Sequence, residues 1–258
     1  MCYDIKVSYE AQLKRAKRKG NLDAVEEILE RLIPLTDLPI YHTTGFDHPD
    51  LLIYTNETPE FPSVATWGLV PHWVNDMQQK RKLWNSTLNA RGETIFEKPS
   101  FKQSAISKRC IIPIDGFFEH HHYNKNTYPY FIQRKDEQPL SLAGLWNEWT
   151  NPDNNATINT FSIVTTAGNP MMAKIHNNPK IQGPRMPLIL PEELEDAWLQ
   201  PIEDHLDKQK IQELIQSFPD NELKAHTVGR LRGREYKGNV KEITEEVVYE
   251  ELDQMTLF

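Results

Sequence analysis

Leu13 and Ala16, a Gly20-Asn21 break, and then Val25, Ile28, Leu29 and Leu32 follow a helical period, which predicts two short helices within residues 9–33. Beyond them the pattern changes to short β-type runs bounded by Pro, Gly, Asn and Asp, at residues 51–54, 64–70, 110–119, 128–134, 140–149, 157–166 and 186–190. Asn124-Lys125-Asn126 sits between two of these runs and marks a hairpin turn. Helices are predicted over 169–175, 191–199 and 204–217, the second opened by Pro191-Glu192-Glu193, residues suited to a helix first turn. Strands with inserted helices, lacking regular βαβ alternation, predict an α+β or mostly β architecture over a doubly wound sheet. There is no internal repeat and no low-complexity linker, so one domain spanning residues 1–258 is expected. An acidic strap or tail begins at about residue 238.

Composition narrows the class. The longest apolar runs fall far short of the roughly 18 residues that span a bilayer, and no charged start precedes an apolar signal region. A soluble, cytoplasmic protein is expected. The two cysteines, Cys2 and Cys110, are too few for a disulfide framework, and neither belongs to a C-x-x-C pair. A net charge of −8 speaks against a polyanionic partner. Residues 241–258, however, carry six acids against Lys241, a net of −5, which leaves −3 for the rest of the chain and room for a local basic groove.

Cys2 has a chemistry that an internal cysteine lacks. Once Met1 is removed, its α-amine and thiol lie on adjacent carbons and add to one aldehyde, closing a five-membered thiazolidine. The amine has a reference pKa of about 7.7–8.0 and the thiol of about 8.5, so each has a reactive fraction near neutrality. Taken alone, Cys2 reads more simply as an incidental buried cysteine.

Several segments change that balance. They are Met1-Cys2, Trp67-Gly68-Leu69-Val70-Pro71-His72-Trp73, Asn89-Ala90-Arg91-Gly92-Glu93-Thr94 running to Glu97-Lys98-Pro99-Ser100-Phe101, Arg109-Cys110 through Gly116-Phe117-Phe118-Glu119, and Ile175-His176 with Arg185-Met186-Pro187. In this order the chain resembles the SOS response-associated peptidase family, which includes sensors of abasic sites in single-stranded DNA. The resemblance implies a mostly antiparallel, barrel-like mixed β core with peripheral helices. It also implies a covalent thiazolidine crosslink between Cys2 and the abasic aldehyde that shields the lesion. Asn89 is then expected to orient the amine, Glu119 to act as the acid/base, and His176 to donate to the sugar during ring opening. Arg91, Lys98, Arg185, Thr165, Trp73 and Phe117 are expected to line the DNA path, joined by Lys80-Arg81-Lys82 and Lys102, through phosphate contacts and stacking. No cofactor or metal is implied. The expected protein is a nucleoid-associated monomer whose partners are abasic single-stranded DNA and replication or repair proteins.

The chain departs from the family pattern at two places. Tyr3 and Asp4 follow Cys2 where the family commonly has Gly-Arg, removing an arginine expected to hold phosphate, and residues 177–184 stand where the common pattern has one residue. Three other readings compete: a Cys2-dependent thiol or auto-peptidase, a metal hydrolase built on Glu119-His120-His121-His122, and a non-enzymatic single-strand binder. The histidine run beside a hairpin turn reads more simply as solvated, and Arg230-Leu231-Arg232-Gly233-Arg234 reads as a phosphate contact or a solvated loop.

Overall fold

The computed structural model describes residues 2–253. The N-terminal strand β1 (Asp4–Val7) leads into α1 (Tyr9–Arg18) and α2 (Leu22–Glu27). Ser8 caps α1 by accepting from the Ala11 amide at 3.1 Å. Glu10 lies in its first turn and Arg15, Lys17 and Arg18 in its last, the charge order that a helix dipole favours. Gly20, at φ +68°, takes the left-handed position after the helix, and Asn21 caps α2 through Ala24 at 3.0 Å. Leu13, Ala16, Ala24 and Ile28 pack together against Leu52 of the sheet.

The remaining strands are β2 (Ile40–Thr44), β3 (Asp50–Thr55), β4 (Ser63–Trp67), β5 (Asn89–Arg91), β6 (Arg109–Ile114), β7 (Gly116–Tyr123), β8 (Asn126–Arg134), β9 (Leu140–Thr150), β10 (Thr157–Ala167), β11 (Arg185–Pro187), β12 (Ile189–Leu190) and β13 (Leu223–Thr227). A five-stranded antiparallel sheet runs β13-β8-β7-β1-β2. In the second sheet β4, β3, β6, β9 and β10 close a ring, antiparallel except where β10 meets β4 in parallel. The fold is therefore α+β, with a barrel-like and mostly antiparallel core.

Both faces of the barrel strands are buried. Cys110, Ile112, Leu142, Phe161 and Ile163 join the main core with Ile5, Phe117 and Ile132 of the other sheet. Ile111, Ala143, Leu145 and Val164 pack beneath Ala105, Trp198, Leu199 and Ile211 of the peripheral helices α4 (Lys102–Ser107), α6 (Glu195–Leu199) and α7 (His205–Glu213). The other helices are α3 (Met77–Leu83), α5 (Pro170–Ile175) and α8 (Glu250–Asp253). Gly144 of β9 has no room for a side chain: a Cβ there would lie 2.3 Å from Ile112 Cδ1 and 2.8 Å from Cys110 Sγ.

Two predicted strands are each divided. The run at 110–119 breaks at Asp115, which accepts from the amide and hydroxyl of Ser8, and its halves β6 and β7 lie in different sheets. The run at 186–190 breaks at Leu188 into β11 and β12. The hairpin between β7 and β8 turns at Asn124 and Lys125, both at positive φ, with Tyr123 opposite Asn126. The segment after residue 238 lies against β13: Val228 bridges Glu246, Thr227 Oγ1 donates to the Val247 carbonyl, and Ile243 is buried.

Candidate functional site

The site forms where the two sheets meet. β1 pairs with β7 in the register Asp4 opposite Phe118, which places Cys2 near Glu119. From the barrel side, β5 docks in parallel on β10 with Asn89 opposite Ile163. α5, capped by Asn169 with Pro170 in its first turn, ends at His176, and β11 pairs with β10 to bring Arg185 beside it. Cys2, Asn89, Glu119 and His176 are thus brought together from four separate elements.

Asn89 Nδ2 donates to the Cys2 carbonyl at 2.8 Å, while its buried Oδ1 has no hydrogen-bond partner among the described residues. Cys2 is fully buried, and burial, then Glu119 and Asp4, push its thiol pKa far up. Glu119 is 7% exposed, and burial raises its carboxyl to about 7. Its Oε1 accepts from the His120 amide at 3.1 Å, and its Oε2 lies 3.9 Å from His176 Nδ1. Burial lowers His176 to about 4, so at neutral pH it is a neutral imidazole. With its ring neutral, His176 does not form an ion pair with Glu119 at pH 7. His176 Nδ1 lies 3.0 Å from the Arg185 amide and 3.1 Å from its carbonyl. As an acceptor from the amide, Nδ1 leaves the ring proton on Nε2; as a donor to the carbonyl, it carries the proton itself.

The residues expected on the DNA path separate into two groups. Trp73 is 39% exposed, its indole donating to the Pro99 carbonyl at 3.3 Å, and Arg91 and Lys98 are exposed. Phe117, Thr165 and Arg185 do not present surface to a strand. Phe117 is fully buried in the main core, and Thr165 is fully buried beneath Arg185. The Arg185 guanidinium is occupied by Glu93, at 2.5 and 2.9 Å, and by Thr165 O and Oγ1, at 2.8 and 3.1 Å, so it braces the wall. Lys80 is buried in a cation–π stack, 3.9 Å from the Trp84 ring and 4.5 Å from Trp149, and is unavailable to phosphate. Trp67 is a core residue that donates to the Leu88 carbonyl.

A cavity of about 390 Å³ opens onto Glu119 and His176 and continues along Tyr3, His120, Arg230 and Arg232. Arg230 and Arg232 belong to the run that the sequence leaves as a phosphate contact or a solvated loop, whereas Tyr3 and His120 carry no motif that marks them as lining residues. Tyr3 stands out in the sequence only as a departure from a pattern, and the histidines as a solvated run, whereas His121 is in fact buried with its Nδ1 2.9 Å from the Lys174 carbonyl. Among the described residues no group of three or more His, Cys, Asp or Glu is arranged to hold a metal ion. Among them, too, no helix is long and apolar enough to cross a membrane.

The family model described as SOS response associated peptidase (SRAP) matches residues 23–233. Abasic site processing protein YoqW of Bacillus subtilis is 37% identical over 166 residues, which are 64% of this chain and 68% of that protein. Abasic site processing protein HMCES of Xenopus tropicalis is 30% identical over 152 residues, 52% of this chain and 43% of that longer protein. A crystal structure of a protein from Bacteroides thetaiotaomicron superposes with a TM-score of 0.80 at 33% identity, covering 96% of this chain and 100% of the other. A protein from Bordetella bronchiseptica shares the fold, with a TM-score of 0.69 at 20% identity over 88% of this chain and 99% of its own.

Proposed function

Because the chain belongs to the SOS response associated peptidase family, we propose that it processes abasic sites in single-stranded DNA, capturing the lesion aldehyde on Cys2 once Met1 is removed. The observation that carries this reading is the meeting of Cys2, Asn89, Glu119 and His176 at one buried point, where Asn89 holds the Cys2 carbonyl and keeps a buried acceptor oxygen that no described residue uses. An acceptor in that position suits an amine donor on the same residue.

Capture requires several proton transfers. In the closed abasic sugar, the bond between C1′ and the ring oxygen breaks, the C1′ hydroxyl gives up its proton and the ring oxygen takes one up as the aldehyde forms. His176, neutral and in the tautomer that carries its proton on Nε2, hydrogen-bonds to that oxygen. The Cys2 amine then adds to the aldehyde carbon to give a carbinolamine. Glu119 in its acid form protonates the hydroxyl, which departs as water and leaves an iminium and a Glu119 carboxylate. The thiol adds to the iminium carbon, its proton returning to the Glu119 carboxylate, and the thiazolidine closes with a neutral ring nitrogen. One C–N bond and one C–S bond form, and one water is lost. A carboxyl at about 7 supplies both acid and base forms at neutral pH, the condition for serving both steps. Burial disfavours a free thiolate at Cys2, so the attacking thiol loses its proton as the C–S bond forms. That arrangement fits addition to an iminium better than thiolate attack on a peptide.

The test is incubation of protein confirmed to begin at Cys2 with a single-stranded oligonucleotide carrying one abasic site, read by denaturing gel and intact mass. The expected product is a heat-stable adduct whose mass is the sum of the two components less one water, absent with Cys2→Ala and with undamaged DNA. Wild-type protein that forms no adduct would sink the capture chemistry. A Cys2→Ala variant that still forms the adduct would assign it to another nucleophile.

A further inference from the structure

The cavity is larger than its reacting end requires. Its volume of about 390 Å³ lies within the roughly 300–1,000 Å³ usual for ligand pockets, while the chemistry at Glu119 and His176 handles a single five-carbon sugar. The rest of the lining includes Arg230 and Arg232. Arg232 Nη2 reaches both oxygens of Asp4, at 3.0 and 3.2 Å. Asp4 is buried and is held in turn by His42 Nε2 at 3.1 Å, and His42 Nδ1 meets the Tyr236 hydroxyl at 2.7 Å. This chain of contacts anchors one nitrogen of the guanidinium. Among the described residues its Nε and Nη1 have no partner, and the Arg232 side chain is 55% exposed. Arg230 is fixed as well, its guanidinium 5.2 Å from the rings of both Tyr128 and Tyr249 while it donates to the Thr127 carbonyl. Arg230 also has an acid partner, Glu235, 3.9 Å away and 79% exposed, so each arginine is paired once and the donors left for an anion are those of Arg232 that face the cavity.

A guanidinium with one nitrogen anchored and its other donors open to a cavity suits the paired oxygens of a phosphodiester. We infer that this part of the cavity is a phosphodiester subsite, in which Arg232, positioned by Asp4, receives the backbone phosphate flanking the abasic sugar and Arg230 lies beside it. The inference rests on the abasic-site reading for the identity of the linkage. Position 4 carries an acid in this chain, and the phosphate-binding charge is supplied from residue 232, where the acid itself holds it in place.

The test separates binding from chemistry. Full-length Cys2→Ala protein, unable to form the adduct, is titrated by fluorescence anisotropy with a labelled single-stranded oligonucleotide carrying one abasic site, across a salt series. Adding Arg232→Gln should weaken binding about 5- to 20-fold and flatten the slope of log K against log salt by about 0.7, the value for one phosphate contact on a single strand. Arg232→Lys, which keeps the charge but loses the fork, should restore the slope and only part of the affinity. A methylphosphonate at the linkage on one side of the lesion should reproduce the Arg232→Gln loss, with no further loss when the two are combined. Unchanged affinity and slope in Arg232→Gln, or losses that add for both flanking linkages, would overturn the subsite. Adduct formation by the Cys2 protein is scored separately. An adduct without an Arg232 effect removes the subsite alone, and an Arg232 effect without an adduct removes the capture chemistry alone.

Discussion

Two buried glutamates show how one residue type is put to opposite uses. Glu195, 1% exposed, is gripped by the guanidiniums of Arg15 and Arg18 and accepts from the Ser141 hydroxyl at 2.6 Å, while Asp196 beside it pairs with Arg15 and Lys19. That network ties α1 to α6 and the barrel. Glu119, 7% exposed, lies where burial outweighs the groups that favour its charge, and its pKa rises to about 7. Burial of a carboxyl is therefore not diagnostic by itself. Glu195 is surrounded by cations that stabilise structure, whereas Glu119 retains a proton that chemistry can use.

The comparison is tested most severely at Glu119. Glu119→Gln should slow adduct formation by about 10²- to 10⁴-fold, the usual contribution of a general acid–base, while raising the melting temperature at pH 8, because the amide has no charge to desolvate. A variant that loses both activity and stability at that pH would place Glu119 in the structural class with Glu195.

Glu195→Ala should behave oppositely, destabilising the protein by about 3–5 kcal/mol by leaving buried guanidinium charge uncompensated. Calorimetry should show a fall in melting temperature on the order of 10 °C, and adduct formation below that temperature should match wild type. A change in the rate of capture with little change in melting temperature would contradict this assignment.

A smaller effect follows from pH. Glu119 titrates at about 7 in the fold against a reference of 4.5, so its folded state favours the protonated form. The associated stability is complete below pH 4.5 and is lost as pH rises through 7, reaching at most roughly 3 kcal/mol. His176, lowered to about 4 from 6.5, acts in the other direction: its contribution is complete above pH 6.5 and is lost as pH falls toward 4. The stability of Glu119→Gln minus that of wild type, from urea titrations, should therefore increase between pH 4.5 and 7 and then level off. A difference independent of pH would mean that Glu119 is not buried as described.

The smallest effect is expected at the surface. Trp73→Ala should weaken single-strand binding by about 1–2 kcal/mol through loss of one stacking face, whereas Phe117→Leu, altered only in the core, should leave affinity unchanged at temperatures where the protein is folded.

Local signals in the chain specify part of the fold. The break at Gly20-Asn21, the left-handed turn at Asn124 and Lys125, and the long apolar runs that became β8, β9 and β10 are written in residue period and turn chemistry. Strands β1, β2, β5 and β13 have no signal in the sequence because three to five residues carry no measurable period, and they exist through pairing with β7, β1, β10 and β8. The division of the 110–119 run was likewise invisible, since both halves are apolar and only the bond between Ser8 and Asp115 marks the corner.

By itself, the sequence determined the residue chemistry at the site and the order of the segments that carry it: an amine and thiol on Cys2, an amide at 89, a carboxyl at 119 and an imidazole at 176. Only the tertiary structure decided their state and company. Desolvation and field depend on what surrounds a group in three dimensions, so Glu119 rises, His176 falls, Arg185 and Lys80 are taken up as braces, and Arg232 arrives from 228 residues away to meet Asp4.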